Sequence, residues 1–322
     1  MAHPPRRRML MVSRDVAQGA RRALPGGPLV VVVRFGTSCG LAALLGGCSG
    51  VLDPQGPVGA GEKLILLDAL AIMLAIVIPV IVATLAFAWW FRASNHRARY
   101  LPDWDFSGRI ELVVWSIPAL VIMFLGGLAW ISSHDLDPAK SLPAGQVQPL
   151  QVEVVSLDWK WLFIYPDQGV ASVNELVVPA GAPLHLRLTS GSVMTAFFVP
   201  QLGSMIYTMN GMVTQLNLRA DHPGSYPGLA SHFSGDGFSG MHFETRAVTP
   251  AAFATWVASV KAAGPTLDGP SYVALSQQSQ DVAPFTYRAA TPGLFEKIAT
   301  CQLPPGPGPK GGGSSPVSGK TP

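Results

Sequence analysis

The sequence of 322 residues predicts a membrane-anchored protein: a two-helix transmembrane hairpin, then an all-β sandwich, then a small helical C-terminal segment. Three observations carry this expectation. Only 13% of residues are charged and 48% are hydrophobic, against about 25% charged in ordinary soluble domains, which argues against a wholly soluble enzyme. Two apolar runs, residues 64–91 and 112–131, are long enough to cross a bilayer. After them, many of the 34 glycines and 29 prolines punctuate short β-rich runs, the mark of turn-rich β structure. The formal charge of +3 is small, and arginines before residue 35 supply much of the excess. No basic face tracks phosphates, so nucleic acid is not an expected partner. Cys39, Cys48 and Cys301 form no close pair, which excludes a disulfide framework or a Cys-rich metal cluster.

The front end reads as export. Arg6, Arg7, Arg8, Arg14, Arg21, Arg22 and Arg34 precede the apolar run from Phe35 to Gly47, which has the length of a signal-peptide core and is too short to span. Leu45, Gly46 and Gly47 let the chain lie extended in a peptidase cleft, and Cys48 then offers a thiol for diacylglycerol. The pattern resembles a bacterial lipoprotein signal over residues 1–47, with Cys39 discarded and residues 48–63 as a periplasmic tether. The long basic region allows translation to begin at Met9 or Met11.

The first span, 64–91, carries one acid, Asp68, near its start, a kinking Pro79, and ends in Trp89, Trp90 and Phe91, rings that favour the membrane interface. The second, 112–131, carries Pro118 and ends near Trp130. Loop 92–111 holds Arg92, Arg97, Arg99 and Arg109, whereas only Lys63 stands just ahead of the first span. Positive charge stays inside, so the loop is cytoplasmic and both ends of the hairpin are periplasmic. Asp68 reads as interfacial. Glu111 opens the second span from the cytoplasmic side, and an acid there is costly unless it meets headgroups, protein or water.

Residues 132–149 read as a linker. From 150 to 249, short β-rich runs such as LQVEVVSLDWKWLFIY, PLHLRLTSG and TQLNLRA recur, with period-two alternation at Val152 and Val154, in LHLRL and in QLNLR, and their close spacing without helices predicts a sandwich. At Thr249 the pattern changes. Thr249 can cap, Pro250 fits a first helical turn, and Phe253, Trp256, Val257 and Val260 share one helical face. Segment 250–301 therefore reads as helical and aromatic-rich, with Tyr272, Phe285 and Tyr287 and a second helix near Gly293 to Cys301. The tail, 302–322, has little to bury and reads as disordered.

Several strings are more specific than these patterns: RASN and IELVVWSIP in the hairpin, then VSLDWKWLFIYPDQGVASVNELVVPAG, SVMTAFFVPQLGSMIYTMNGM and GLASHFSGDGFSGMHF. Over roughly residues 45 to 300 the chain resembles the haem-copper oxidase subunit II family, in its quinol-oxidising, cytochrome bo type branch. The resemblance implies a cupredoxin-like Greek-key sandwich facing the periplasm of a bacterial inner membrane. It implies a non-catalytic subunit 2 of a proton-pumping terminal ubiquinol oxidase, which oxidises quinol and reduces oxygen to water. Haems, copper and quinol would sit in subunit I. The partners would be subunit I, the other oxidase subunits and membrane lipid, with no cytochrome c. Alternatives are a copper-containing cytochrome c oxidase subunit II, or a stand-alone membrane lipoprotein scaffold.

The copper-bearing branch of that family binds a binuclear centre through His, Cys-x-Glu-x-Cys, His and Met. Soft thiolates bridge the metals, and imidazoles and a thioether complete them. Laid on this chain, those positions fall at Thr195, Ala230, His232, Ser234, Phe238 and Met241. Only Met241 is retained, so the resemblance implies no metal in this chain; the lipoprotein signal separately implies a covalent lipid on Cys48. His222, His232 and His242 are the alternative metal route. Trp159 and Trp161 match an aromatic strand that serves electron entry in the copper branch, and packing is the expectation here. His134 and His185 belong to no ligand pattern. Met205, Met209 and Met212 read as a partner-facing loop. In the family, the glutamate at the place of Glu111 resembles the entry of a proton channel into subunit I.

Overall fold

The computed structural model describes residues 50–99, 101–142 and 147–308. The leader with Cys48, and residues 309–322, lie outside them. Helix α1 spans Pro57–Trp90 and α2 spans Gly108–Asp135. Both start earlier than the apolar runs, and α2 also ends later; the first turns of α1 and the stretch after α2 are bonded to the sandwich. Pro57 occupies the first turn, where its missing N–H costs nothing. Around it, Gln55 N donates to Gln201 O at 2.7 Å and Gly59 N to Leu202 O at 3.1 Å. The Ser204 hydroxyl donates to Glu62. A Cβ on Gly56 would overlap the Arg219 carbonyl, so only glycine lets the tether lie this close. Beyond these turns the spans expose their apolar side chains, with Trp115 and Ile122 at 73% and 70%. Such a surface requires lipid or another apolar subunit as solvent.

The sandwich is built from β1 (Leu150–Leu157), β2 (Lys160–Tyr165), β3 (Val170–Val173), β4 (Glu175–Pro179), β5 (Leu184–Ser190), β6 (Thr195–Phe198), β7 (Ile206–Thr208), β8 (Thr214–Leu218), β9 (Gly224–Ala230) and β10 (His242–Val248). With β12 (Phe285–Tyr287), six strands run β12-β3-β2-β1-β5-β8, and the facing sheet runs β4-β10-β9-β6-β7. The β1–β5 and β4–β10 pairs are parallel and the other pairs within these two sheets antiparallel, the strand exchange of a Greek key. Between the sheets lie Val152, Val154, Trp161, Phe163, Tyr165, Phe197 and Phe243, among others. Phe197 and Phe243 stack with centroids 4.9 Å apart, and Trp161 meets both edge-on.

In β2 all six residues are buried. Trp161, Phe163 and Tyr165 face the sandwich core, while Leu162 and Ile164 face a second core with Leu267, Tyr272, Tyr287, Leu294, Phe295 and Ile298. The C-terminal segment is therefore a third layer. It comprises α3 (Pro250–Ala262), a short parallel pair β11 (Thr266–Leu267) with β13 (Ala289–Ala290), α4 (Gly269–Leu275), β12 and α5 (Leu294–Ala299). Thr249 accepts from Ala252 N at 3.3 Å and caps α3. The reading of the tail as disordered from residue 302 is corrected over its first residues. Gly306 N donates to Gly191 O at 2.7 Å and Gly308 N to Asp158 Oδ2 at 2.9 Å. Backbone donors, which a composition count does not weigh, hold this stretch against the sandwich.

Candidate functional site

The positions of the copper ligands converge at one end of the five-stranded sheet. Thr195 opens β6, buried, opposite Thr208 of β7. The β9–β10 register brings the next position across from Met241, whose carbonyl accepts from Ala230 N at 3.0 Å. The loop between these strands is tied down by its own polar groups. Ser231 N donates to Ala196 O at 3.0 Å, and the Thr195 hydroxyl donates to His232 O at 2.9 Å. Trp159 Nε1 donates to Ser234 O at 3.2 Å. The Ser234 hydroxyl lies 3.9 Å from Met241 Sδ. Phe238 begins a 3-10 turn and packs edge-on against Phe233, ring centroids 5.6 Å apart. The His232 ring meets Tyr207 edge-on, also at 5.6 Å.

The site thus gathers two hydroxyls, one thioether, two hydrocarbon side chains and one imidazole. The potential donor atoms are two neutral hydroxyl oxygens, one thioether sulfur and the His232 imidazole, and neither of the two bridging positions carries a thiolate. The hydroxyls are also engaged with protein partners. Among the described residues, no three His, Cys, Asp or Glu side chains are arranged to hold a metal ion; His222, His232 and His242 do not form one site. His134 Nδ1 lies 2.8 Å from Trp130 O, and His185 Nδ1 lies 2.9 Å from Asn217 Oδ1. Met205 and Met212 are half exposed, and Met205 Sδ accepts the Ser231 hydroxyl at 3.1 Å.

Trp159 and Trp161 are packed. Trp159 sits at the β1–β2 turn with φ +64°, costly for a bulky residue. Its ring lies against Gly237, where any Cβ would overlap it. The strained turn is held by that seat and by the indole bond to the loop.

Sequence reasoning missed the charged pair beside this turn. Lys160 is buried, and its Nζ donates to Gln277 O at 2.6 Å, Ser279 Oγ at 2.5 Å and Asp158 O at 3.4 Å. Asp158, also buried, accepts from the Ser192 hydroxyl and Gly308 N. Burial pushes the Lys160 ammonium down to about 8, opposed by the nearby Asp158 charge. The signal available in sequence was a lysine inside an otherwise apolar strand. Two of its three acceptors lie more than 110 positions away. At the other end of the hairpin, Glu111 stands in the first turn of α2 and accepts from Trp115 Nε1 at 3.2 Å.

Two apolar helices long enough to cross a membrane, followed by a Greek-key sandwich with a small helical C-terminal segment, define a membrane-anchored cupredoxin-like subunit. The model of the cytochrome c oxidase subunit II periplasmic domain matches residues 168–248. The chain is 49% identical over 260 residues to the cytochrome bo(3) ubiquinol oxidase subunit 2 of Pseudomonas aeruginosa, covering 80% of this chain and 78% of that one. It is also 49% identical to the ubiquinol oxidase subunit 2 of Acetobacter aceti, covering 80% and 84%. To the quinol oxidase subunit 2 of Bacillus cereus it is 33% identical, covering 72% and 81%. The chain belongs to the ubiquinol oxidase subunit 2 family of the haem-copper oxidases.

Proposed function

We propose that this chain is the non-catalytic subunit 2 of a proton-pumping terminal ubiquinol oxidase of the bacterial inner membrane, and that it carries no binuclear copper. Quinol oxidation and oxygen reduction to water take place in subunit I, which holds the haems and copper. The spans pack against that subunit and the sandwich caps its periplasmic face. The observation that carries this reading is the content of the corner: Ala230 and Ser234 stand where bridging thiolates are needed, and Thr195 and Phe238 where imidazoles are needed. Without thiolates, electrons from a soluble carrier would find no acceptor here.

On the cytoplasmic side, Glu111 takes up a proton from water and passes it toward subunit I, its carboxylate oriented by the Trp115 indole. The lipid on Cys48 adds a second anchor at the periplasmic surface.

The test is copper loading of the purified full chain. We expect no stoichiometric copper and no intense thiolate-to-copper absorption; tight stoichiometric binding would overturn the reading. A gain-of-ligand variant checks the geometry. Thr195→His, Ala230→Cys, His232→Glu, Ser234→Cys and Phe238→His, with Met241 kept, should create a purple binuclear site. Failure to bind copper would show that these positions are not superimposable on the ligand set. Purification of the native complex, with identification of its subunits and haems, separates the quinol oxidase from a cytochrome c oxidase and from a stand-alone scaffold.

A further inference from the structure

We propose that the cytoplasmic end of α1 is a binding site for an anionic phospholipid headgroup. Here the chain leaves the bilayer at Trp89, Trp90 and Phe91 and folds back into a cavity of about 580 Å³. Arg92 and Arg99 line this cavity, with Phe91, Leu101 and Trp104 as its apolar walls and Asn95 among its polar lining. The combination of guanidinium and apolar wall at interface depth matches a phosphate diester with acyl chains attached. It does not match a freely hydrated ion.

The turn is preformed. Asn95 Nδ2 donates to Trp90 O at 2.6 Å and its Oδ1 accepts from Arg97 N at 3.2 Å, closing the end of α1. Arg92 Nη1 lies 3.4 Å from Trp89 O, and its guanidinium lies 5.0 Å over the Trp89 ring. The Trp89 and Trp90 carbonyls, which would repel an anion, are thus already covered by donors. Among the described residues, none of Arg92, Arg97, Arg99 and Arg109 is paired with a carboxylate. Unpaired arginines seek bidentate phosphate contacts, and at this depth the nearest phosphates are those of the leaflet. The site rests on the hairpin being membrane-embedded and on no part of the oxidase chemistry.

Native mass spectrometry of the detergent-purified full chain tests this with phosphatidylglycerol and phosphatidylcholine of the same acyl chains, and with inorganic phosphate as competitor. Two cationic contacts predict a preference for phosphatidylglycerol of about 30-fold. Arg92→Gln with Arg99→Gln should reduce it to the phosphatidylcholine level, while Arg92→Lys with Arg99→Lys should retain part of it. Arg92 and Arg99 are both exposed, so unchanged helix content by circular dichroism accompanies the expected loss. Equal affinity for the two lipids, or an undiminished preference in the double glutamine variant, overturns the proposal. So does displacement of the lipid by millimolar phosphate, which would assign the site to free anions. Because binding is read in the isolated chain, a negative result leaves the oxidase reading untouched.

Discussion

At the scale of single residues, two ionisable groups carry sharp expectations. Glu111→Gln keeps the size and the Trp115 contact but removes the titrating proton, so quinol oxidation by the complex should slow while haem content stays normal. Unchanged turnover across several pH values would reduce Glu111 to an interfacial residue. Lys160 has the opposite character, a charge buried for structure. Its folded-state value is depressed to about 8 from an ordinary 10.5, so above pH 8 the folded chain gives up this proton before the unfolded chain does. The unfolded state then binds more protons, and stability rises with pH through that window; below pH 8 the full penalty is in place. Between pH 8 and 9.5 the gain should reach about 1–2 kcal/mol. Buried Tyr165 and Tyr272, both pushed upward by burial, act in the opposite sense once free tyrosine begins to ionise. Chemical denaturation at stepped pH checks this, and Lys160→Met should flatten the slope.

Among the elements, the C-terminal segment changes most between expectation and structure. Phe285, Thr286 and Tyr287 pair with Val173, Ser172 and Ala171, extending the sheet at its β3 edge, and α4 and α5 cover the outer face of β2. A periplasmic domain ended at Ala262 would therefore leave Val155, Leu162, Ile164, Ala171 and Val173 facing water. Each large apolar side chain uncovered costs about 1.5–3 kcal/mol. Such a domain should bind a hydrophobic dye and lose cooperative melting, whereas one carried through Gly308 should melt as a unit. Equal melting of the two would show that the third layer is an ornament on the fold. The helices of the hairpin were easier to place because each needs only its own apolar length. Their extensions to Pro57 and Asp135 could not be placed that way, since the start of α1 answers to Gln201, Leu202 and Ser204 and the stretch after α2 to Asn217.

For the whole molecule, membrane attachment has two proposed sources of unequal strength. Two spans hold the chain far more firmly than a single lipid. Cys48→Ala should therefore slow processing of the leader yet leave the protein in the membrane fraction after carbonate washing. Mass spectrometry of the mature wild-type subunit should find a lipidated Cys48 at its N-terminus; an upstream terminus or an unmodified thiol would refute lipidation.

What the sequence determined by itself follows from local physics. Apolar length sets the spans, and alternation together with close turn spacing sets most strands of the sandwich. The residue types at Thr195, Ala230, Ser234 and Phe238 state which ligands are missing wherever the chain places them. Only the tertiary structure decided that these positions share one corner, that Trp159 adopts a left-handed turn against Gly237, and that Lys160 is buried beneath Gln277 and Ser279. Each of those facts is a pairing between segments far apart in the chain. Such pairings are set by sheet register and by which layer covers which face, and neither is written in the residues on one side alone.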